Sequence, residues 1–431
     1  MVLQAWGQLP ATPAAEERWW ADRDADLPRT DTSLLAHGNG RSYGDVCLNS
    51  GATLLHTRGM DRFIDFDDTS GTLVCEAGIL LSDILAVFVP RGWFLPVTPG
   101  TRFVTLGGAI ANDVHGKNHH RAGSFGCYVQ RFELLRSDGS RRVCSPAENA
   151  DYFAATIGGL GLTGLITWVA ISLKRIASPM ISVENTRFDG LDDFFTLNAA
   201  AEAAHEYTVA WIDCLAAKPR GIYMAGDHAK AGDPGVESGK PLSVPLTPPF
   251  SLINGLSLHA FNQAYYHRPL AARTSMSYAP FFYPLDGVLH WNRIYGKKGF
   301  YQYQFVLPLA ERAALDDVLR GIASSGQGSF LAVLKTFGAL PSPGLLSFPM
   351  PGVTLALDFP NRGASTLALF DRLDAIVSAA GGRLYAAKDA RMSGEFFRRS
   401  YPRIDEFQRF VDPRFSSDFA RRVLLAGSAV T

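Results

Sequence analysis

The stretch Pro99-Gly100-Thr101, continued by Thr105-Leu106-Gly107-Gly108-Ala109-Ile110-Ala111-Asn112-Asp113-Val114-His115-Gly116-Lys117-Asn118-His119-His120 and closed by Gly123-Ser124-Phe125-Gly126, decides how this chain folds. Glycine lets a backbone approach a ligand closely and leaves bare N–H groups for phosphate oxygens. Thr105 ahead of Gly-Gly-Ala-Ile-Ala reads as the cap of a short helix, whose first turn favours an anion such as a diphosphate. A similar patch precedes it, His37-Gly38-Asn39-Gly40-Arg41-Ser42-Tyr43-Gly44-Asp45, and another follows, Ile157-Gly158-Gly159-Leu160-Gly161-Leu162-Thr163-Gly164. Three such stretches in one segment call for one extended ligand.

The third patch satisfies G-x-G-x-x-G, and Glu184 stands about twenty residues on, as the dinucleotide fingerprint asks. That fingerprint must follow a strand and open a helix. Here Asp151 to Thr156 reads as helix and Leu165 to Ile171 as strand, the reverse order, so a nicotinamide-binding Rossmann domain is not expected.

The 431 residues are 47% hydrophobic and 19% charged, an ordinary globular composition with room for two or more cores. Lys+Arg and Asp+Glu both number 41, so the balance proposes neither nucleic acid nor an anionic membrane as partner. The five cysteines, Cys47, Cys75, Cys127, Cys144 and Cys214, lack any paired or metal-ligand spacing and read as reduced, buried thiols. His115 and His119 stand at His-x-x-x-His spacing without a third ligand, and no metal is expected. No signal peptide or membrane-spanning run is legible, which suits a cytoplasmic protein or one associated peripherally with a membrane.

Along the chain, Thr72 to Gly78 reads as a strand, Leu81 to Val89 as a helix, and Trp93 to Val97 as a strand. Phe132 to Cys144 is a hairpin in which Asp138-Gly139 supplies the positive φ angles of a tight primed turn. Farther on, the order is strand (302–307), helix (Leu315, Val318, Leu319 and Ile322 on one face), strand (329–337), strand (353–359), helix (Leu369, Leu373, Ile376, Val377) and strand (383–387). That β-α-β-β-α-β order is a ferredoxin-like unit. Lys230 to Pro241, running on to Pro245, Pro248 and Pro249, is too rich in proline and glycine for a regular element, and reads either as a surface loop or as a mobile lid over the substrate.

Together, Gly-Arg-Ser-Tyr-Gly-Asp (40–45), His-Gly-Lys-Asn-His-His (115–120), Gln302-Tyr303-Gln304-Phe305 and Leu384-Tyr385-Ala386-Ala387-Lys388-Asp389 resemble the vanillyl-alcohol-oxidase superfamily of FAD enzymes, from about Ala36 to the C-terminus. Within it the resemblance is closest to the flavin oxidases of decaprenylphosphoryl-β-D-ribose. It implies an α+β protein with a two-domain PCMH-type FAD-binding fold and a ferredoxin-like substrate-binding domain: residues 1–176 for FAD, 177–382 for substrate with a flexible loop at about 230–256, and 383–431 returning to the FAD half. The activity implied is oxidation of a secondary sugar hydroxyl, the 2-hydroxyl of a polyprenylphosphoryl-ribose, to a keto sugar. A separate NAD(P)H-dependent short-chain reductase would complete the epimerisation. The alternatives are an aldonolactone or alditol oxidase acting on a free sugar, and a flavin-binding module without turnover.

For FAD the resemblance implies Gly38, Asn39, Gly40, Arg41, Ser42, Tyr43, Gly44, Gly100, Thr105, Leu106, Gly107, Gly108, Asn112, Asp113, Val114, His115, Gly116, Gly123, Ser124, Ile166 and Tyr385. Many relatives with a covalent flavin carry a histidine where Arg41 stands; a guanidinium is a poor nucleophile, so non-covalent FAD is expected.

Alcohol oxidation also needs a group that takes or stabilises the hydroxyl proton. Lys388 is the first candidate, since the matching lysine of the family faces the reacting sugar; His115 is the second, as a proton acceptor or as a ligand of the cofactor. Gln302 and Gln304 share a strand face by the period of two and can bind sugar hydroxyls. Lys117 and Lys335 are candidates for a phosphate, and Trp211 and Thr354 for the pocket wall. This chain departs from the mycobacterial oxidases at Thr354 and Ala356, where they carry asparagine and cysteine, and at Phe282, where they carry tyrosine.

Overall fold

Thr105 accepts a hydrogen bond from the N–H of Gly108 at 3.1 Å and so starts the helix Leu106–Ala111, which the rest of the first half is built around. The structure is a computed structural model and describes residues 4–9, 13–232, 239 and 241–425. Strands β1 (Glu16–Trp19), β2 (Leu34–His37) and β3 (Thr53–His56) form a parallel sheet in the order β1-β3-β2. Strands β4 (Phe63–Asp67), β5 (Thr72–Glu76), β6 (Val129–Leu135), β7 (Arg141–Cys144) and β8 (Leu165–Ser172) form an antiparallel sheet in the order β4-β5-β8-β6-β7. Helix α1 (Leu81–Phe88) buries Leu81, Ile84, Leu85 and Phe88 beside it, and α2 is Leu106–Ala111.

Two local expectations change. The β6–β7 connection is longer than a tight primed turn: the N–H of Gly139 bonds to the Arg136 carbonyl at 3.0 Å, and Gly139 (φ 81°) has a positive φ where Asp138 does not. A turn followed by one left-handed glycine does the work that two positive φ angles would do in a two-residue loop. The strand expected over 93–97 is confined to Trp93–Phe94, because Pro96 has no N–H to offer a ladder.

The second half is organised by one eight-stranded antiparallel sheet. Its strands are β9 (Met180–Asp189), β10 (Tyr207–Ile212), β11 (Arg220–His228), β12 (Arg273–Ser277), β13 (Phe300–Leu307), β14 (Ala332–Phe337), β15 (Gly352–Pro360) and β16 (Arg383–Leu384), in the order β12-β9-β11-β10-β14-β15-β13-β16. The helices between them are α3 (Leu191–Ala204), α4 (Gly255–His267), α5 (Arg312–Ser325) and α6 (Ala364–Ala379). The C-terminal four strands have the 4-1-3-2 order of a ferredoxin-like unit. The first four repeat it, joined to the second set through β10 and β14. In the second unit α5 and α6 lie on the same side and share a core with α3, including Phe194, Phe305, Leu319, Leu355 and Leu373. Helix α4 instead crosses the opposite face, where Tyr265 meets Trp211 at 4.6 Å between ring centroids and the Asn262 amide donates to Asp213 at 2.7 Å.

The last expected strand is shorter than read. It ends at Leu384, and residues 386–388 form a 3-10 turn in which the N–H of Lys388 bonds to the Tyr385 carbonyl at 3.0 Å. The chain then returns to the first half, where the N–H of Leu34 bonds to Arg414 and that of Ser416 to Leu34. Part of the loop expected at 230–256 is regular: Leu242–Ser243 pairs with Val288–Leu289, and Asn254 caps α4. Residues 233–238 and 240 of that loop lie outside the described residues. Cys75, Cys144 and Cys214 are buried and free as expected, whereas Cys47 and Cys127 are partly exposed, and Cys47 reaches a cavity wall. No described helix is long and apolar enough to cross a membrane.

Candidate active site

Between the glycine loops of the first half and the open face of the large sheet lies a cavity of about 500 Å³. Parity along the strands builds its floor. Gln304 is paired with Ala356, Ala356 with Val333 and Lys335 with Thr354, so these residues share one face, with Gln302 and Asp358 one pleat along. Trp211 continues that face on β10.

The opposite wall is backbone. Among the described residues none accepts a hydrogen bond from the N–H groups of Asn39, Gly40, Arg41 or Ser42, and these residues all line the cavity. Consecutive free N–H groups make a nest for an anion. The start of α2 does not provide the expected one: the N–H groups of Leu106, Gly107 and Gly108 are already bonded to Ile79 O, Ala77 O and Thr105 Oγ1. Gly38 is needed for space, since a Cβ there would sit 2.4 Å from Thr105 Oγ1.

Of the expected cofactor contacts, Gly38 to Tyr43, Gly100, Thr105, Gly108, Asn112, Val114, His115, Gly116 and Tyr385 line the cavity. Gly44, Leu106, Gly107, Asp113, Gly123, Ser124 and Ile166 lie behind the wall instead. A Cβ on Gly44 would lie 1.6 Å from Asp389 O, and one on Gly107 3.1 Å from the Ala77 Cβ. Leu106, Ser124 and Ile166 are buried, and Gly123 sits beneath Leu340. Asp113 is buried under Ser342 and Ser347, with the Gly126 N–H at 2.8 Å; burial raises its carboxyl.

All the expected substrate residues except Thr354 line the cavity; Thr354 stands beneath Gln304, its hydroxyl bonded to the Phe305 carbonyl at 2.7 Å. Lys335 Nζ is 2.9 Å from His115 Nδ1 and 3.0 Å from the Gly116 carbonyl, and the Gln304 amide nitrogen is 3.0 Å from His115 Nε2. Both nitrogens of His115 are therefore engaged by protein, and burial, with Lys335 beside it, holds its pKa well below the ordinary value. Lys388 Nζ lies 3.8 Å from the centre of the Tyr43 ring, and no described residue accepts a hydrogen bond from it. Burial brings Lys388, Lys335 and Lys117 down to about 7. Lys117 also donates to the Phe281 carbonyl at 2.5 Å.

Sequence reading missed several wall residues. Trp6 stacks under Arg41 at 4.0 Å, and Phe261, Tyr265, Leu289 and Trp291 give one end of the cavity an apolar lining. Asp358 is buried, takes the Gln302 amide at 2.7 Å on one oxygen, leaves the other without a partner, and is raised by burial to about 7.

The donor set fits FAD. A nest of free N–H groups suits the diphosphate, and Arg41 Nε and Asn112 Oδ1 are buried cavity atoms left without partners in the protein. Comparisons with known proteins agree. Residues 25–145 match the family described as FAD binding domain. The chain is 37% identical over 412 residues to decaprenylphosphoryl-β-D-ribose oxidase of Mycolicibacterium smegmatis, covering 91% of this chain and 89% of that one. It is 34% identical over 369 residues to an uncharacterized protein in the mprA 5′ region of Streptomyces coelicolor, covering 80% of this chain and 100% of that one. Likeness to L-gulonolactone oxidase of Mus musculus, at 32%, spans 31% of this chain and 30% of that enzyme. With this cavity and these relatives, the chain belongs to the family of FAD-dependent oxidoreductases that includes decaprenylphosphoryl-β-D-ribose oxidase.

Proposed function

We propose that the protein oxidises the 2-hydroxyl of a polyprenylphosphoryl-β-D-ribose to the 2-keto sugar. The observation that carries this reading is the unengaged amine of Lys388 at a cavity whose floor holds Gln302, Gln304 and Lys335 and whose far end is apolar. Residues 38–43, Thr105 and Asn112 would hold FAD, which would supply the hydride acceptor.

Lys388, with a pKa near neutrality, takes the hydroxyl proton as the free amine. The Asp358 carboxylate favours the ammonium that results. His115 is a positioning residue in this reading, because its two ring nitrogens hold Lys335 and Gln304 in place for the other sugar hydroxyls. Lys117 is the candidate for the phosphate, whose charge would restore its ordinary pKa. The apolar end, with Phe261, Tyr265 and Leu289, suits the first isoprene units. A separate NAD(P)H-dependent reductase would consume the keto sugar to complete an epimerisation.

The test is anaerobic addition of substrate to the yellow protein. Polyprenylphosphoryl-ribose is expected to bleach the flavin absorbance. Bleaching by a free aldonolactone or alditol alone would move the substrate class to soluble sugars, and no bleaching by any of them would leave a binding module.

A further inference from the structure

Residues 338–351, which join β14 to β15, and the C-terminal stretch around Tyr401 border a second cavity, of about 280 Å³. One layer of rings parts it from the first. Phe337 stands between His115, which lines the first cavity, and His119, which lines the second, at 4.8 and 4.5 Å between ring centroids. Phe348 stacks on Tyr385 at 4.6 Å, and Met350 packs against the same cluster. Leu340, Pro341, Pro349, Met350 and Pro351 give the second cavity apolar sides, and no described aspartate or glutamate lines it.

Against this lining stands a cation without a counter-charge. Arg383, on β16, donates from Nη1 to the Ser347 carbonyl at 3.1 Å and lies 5.1 Å from the centre of the Tyr401 ring. Its Nε is buried without an acceptor, and among the described residues no acceptor meets Nη2 and no carboxylate pairs with the guanidinium. Burial works against the charge, so a group left in this state is costly unless something else meets it. The neighbouring polar groups do not. Arg403 is paired with Glu406 through two bonds of 2.8 Å, and the hydroxyls of Ser342 and Ser347 both donate to Asp113. His119 is 2% exposed, its Nδ1 has no partner, and burial with Lys335 nearby keeps the ring neutral.

We propose that this cavity is a second ligand site, for a small organic monocarboxylate with an apolar body. The unengaged Nε–Nη2 edge of Arg383 matches the two oxygens of a carboxylate, His119 adds a neutral N–H donor, and the proline, leucine and methionine sides take the carbon skeleton. One uncompensated cation calls for one negative charge. A phosphate dianion would bring a second charge with no cation left to meet it, since Arg403 is held by Glu406. The site stands apart from the sugar reading, because none of the residues that line it serves in that chemistry.

The experiment is isothermal titration of the FAD-loaded protein with benzoate, benzamide and inorganic phosphate. Benzoate is expected to bind, benzamide not to bind, and phosphate to bind at least tenfold more weakly than benzoate. Arg383→Gln is expected to weaken benzoate at least tenfold with FAD retained. Met350→Trp, which fills the apolar side and leaves the cation in place, is expected to do the same and serves should Arg383→Gln not fold. Lys117→Met controls for the first cavity, whose lysines also attract anions; benzoate affinity is expected to be unchanged by it. No benzoate binding, undiminished affinity in both cavity variants, or loss of binding in Lys117→Met alone would overturn the inference. Phosphate bound as tightly as benzoate would overturn the choice of a carboxylate.

Discussion

Lys335 Nζ lies 2.9 Å from His115 Nδ1, although the residues are 220 positions apart, and this contact removes the histidine from the list of free bases. With the Gln304 amide on Nε2, the ring is held from both ends and kept neutral by burial. Its replacement should misplace two substrate contacts rather than delete a proton acceptor. His115→Gln is expected to raise KM for the sugar more than it lowers the rate of flavin reduction. The opposite split in single-turnover kinetics would return His115 to the role of base.

Lys388→Ala is expected to retain FAD and to lose on the order of 100-fold or more in flavin reduction, the scale of a removed general base. Single-turnover reduction by stopped flow checks it. An unchanged rate would take Lys388 out of the chemistry.

The working form of Lys388 is the free amine, so reduction should rise with pH through about 7. Asp358 raises the pKa of that lysine, so removing its charge has a defined sign. In Asp358→Asn the rising limb moves to lower pH. A limb that stays in place would mean that another group titrates.

Lys335 titrates at about 7 in the folded protein and at its ordinary 10.5 when unfolded, the shift coming first from burial. Between those values the unfolded chain binds more protons, so this lysine makes the fold more stable as pH rises through the window and costs stability as pH falls toward 7. Lys335→Met removes that dependence. Thermal unfolding of the FAD-free proteins should therefore favour the Met variant more at pH 7 than at pH 10; a constant difference would contradict the shift.

FAD is expected to leave on acid precipitation, since Arg41 stands in the nest loop and His115, on the cavity wall, has both nitrogens occupied. Ala356, on the cavity floor, offers no sulfur. A thiol-directed electrophile in the cavity should therefore form no adduct at this position, and Ala356→Cys should create one. Intact mass after turnover, with and without acid, reads both outcomes.

The glycine loops and the β13-to-β16 unit were legible because spacing and periodicity are local properties. The matching unit from β9 to β12 was not, because β9 alternates imperfectly (Ser182, Glu184, Asn185, Thr186) and the proline-rich stretch parts β11 from α4. Asp358 became visible only through the register that sets it opposite Gln302. The occupied N–H groups of α2 depend on Ala77 and Ile79, and Trp6 reaches Arg41 across a gap in sequence that no motif spans. Cavity lining follows from tertiary pairing, which residue types alone do not encode.

The nest loop is finished by the end of the chain. Tyr43 N–H bonds to Ala387, Gly44 abuts Asp389, and Arg422 grips Asp45, 377 positions away, and Asp389 as well. During synthesis the N-terminal half leaves the ribosome long before these partners exist, so the half that carries the glycine loops must wait, cofactor-free and unbraced, until residues 387–422 arrive. Capture of FAD is therefore expected to follow their arrival, and a nascent chain stalled before that point would be the species that chaperones and proteases meet.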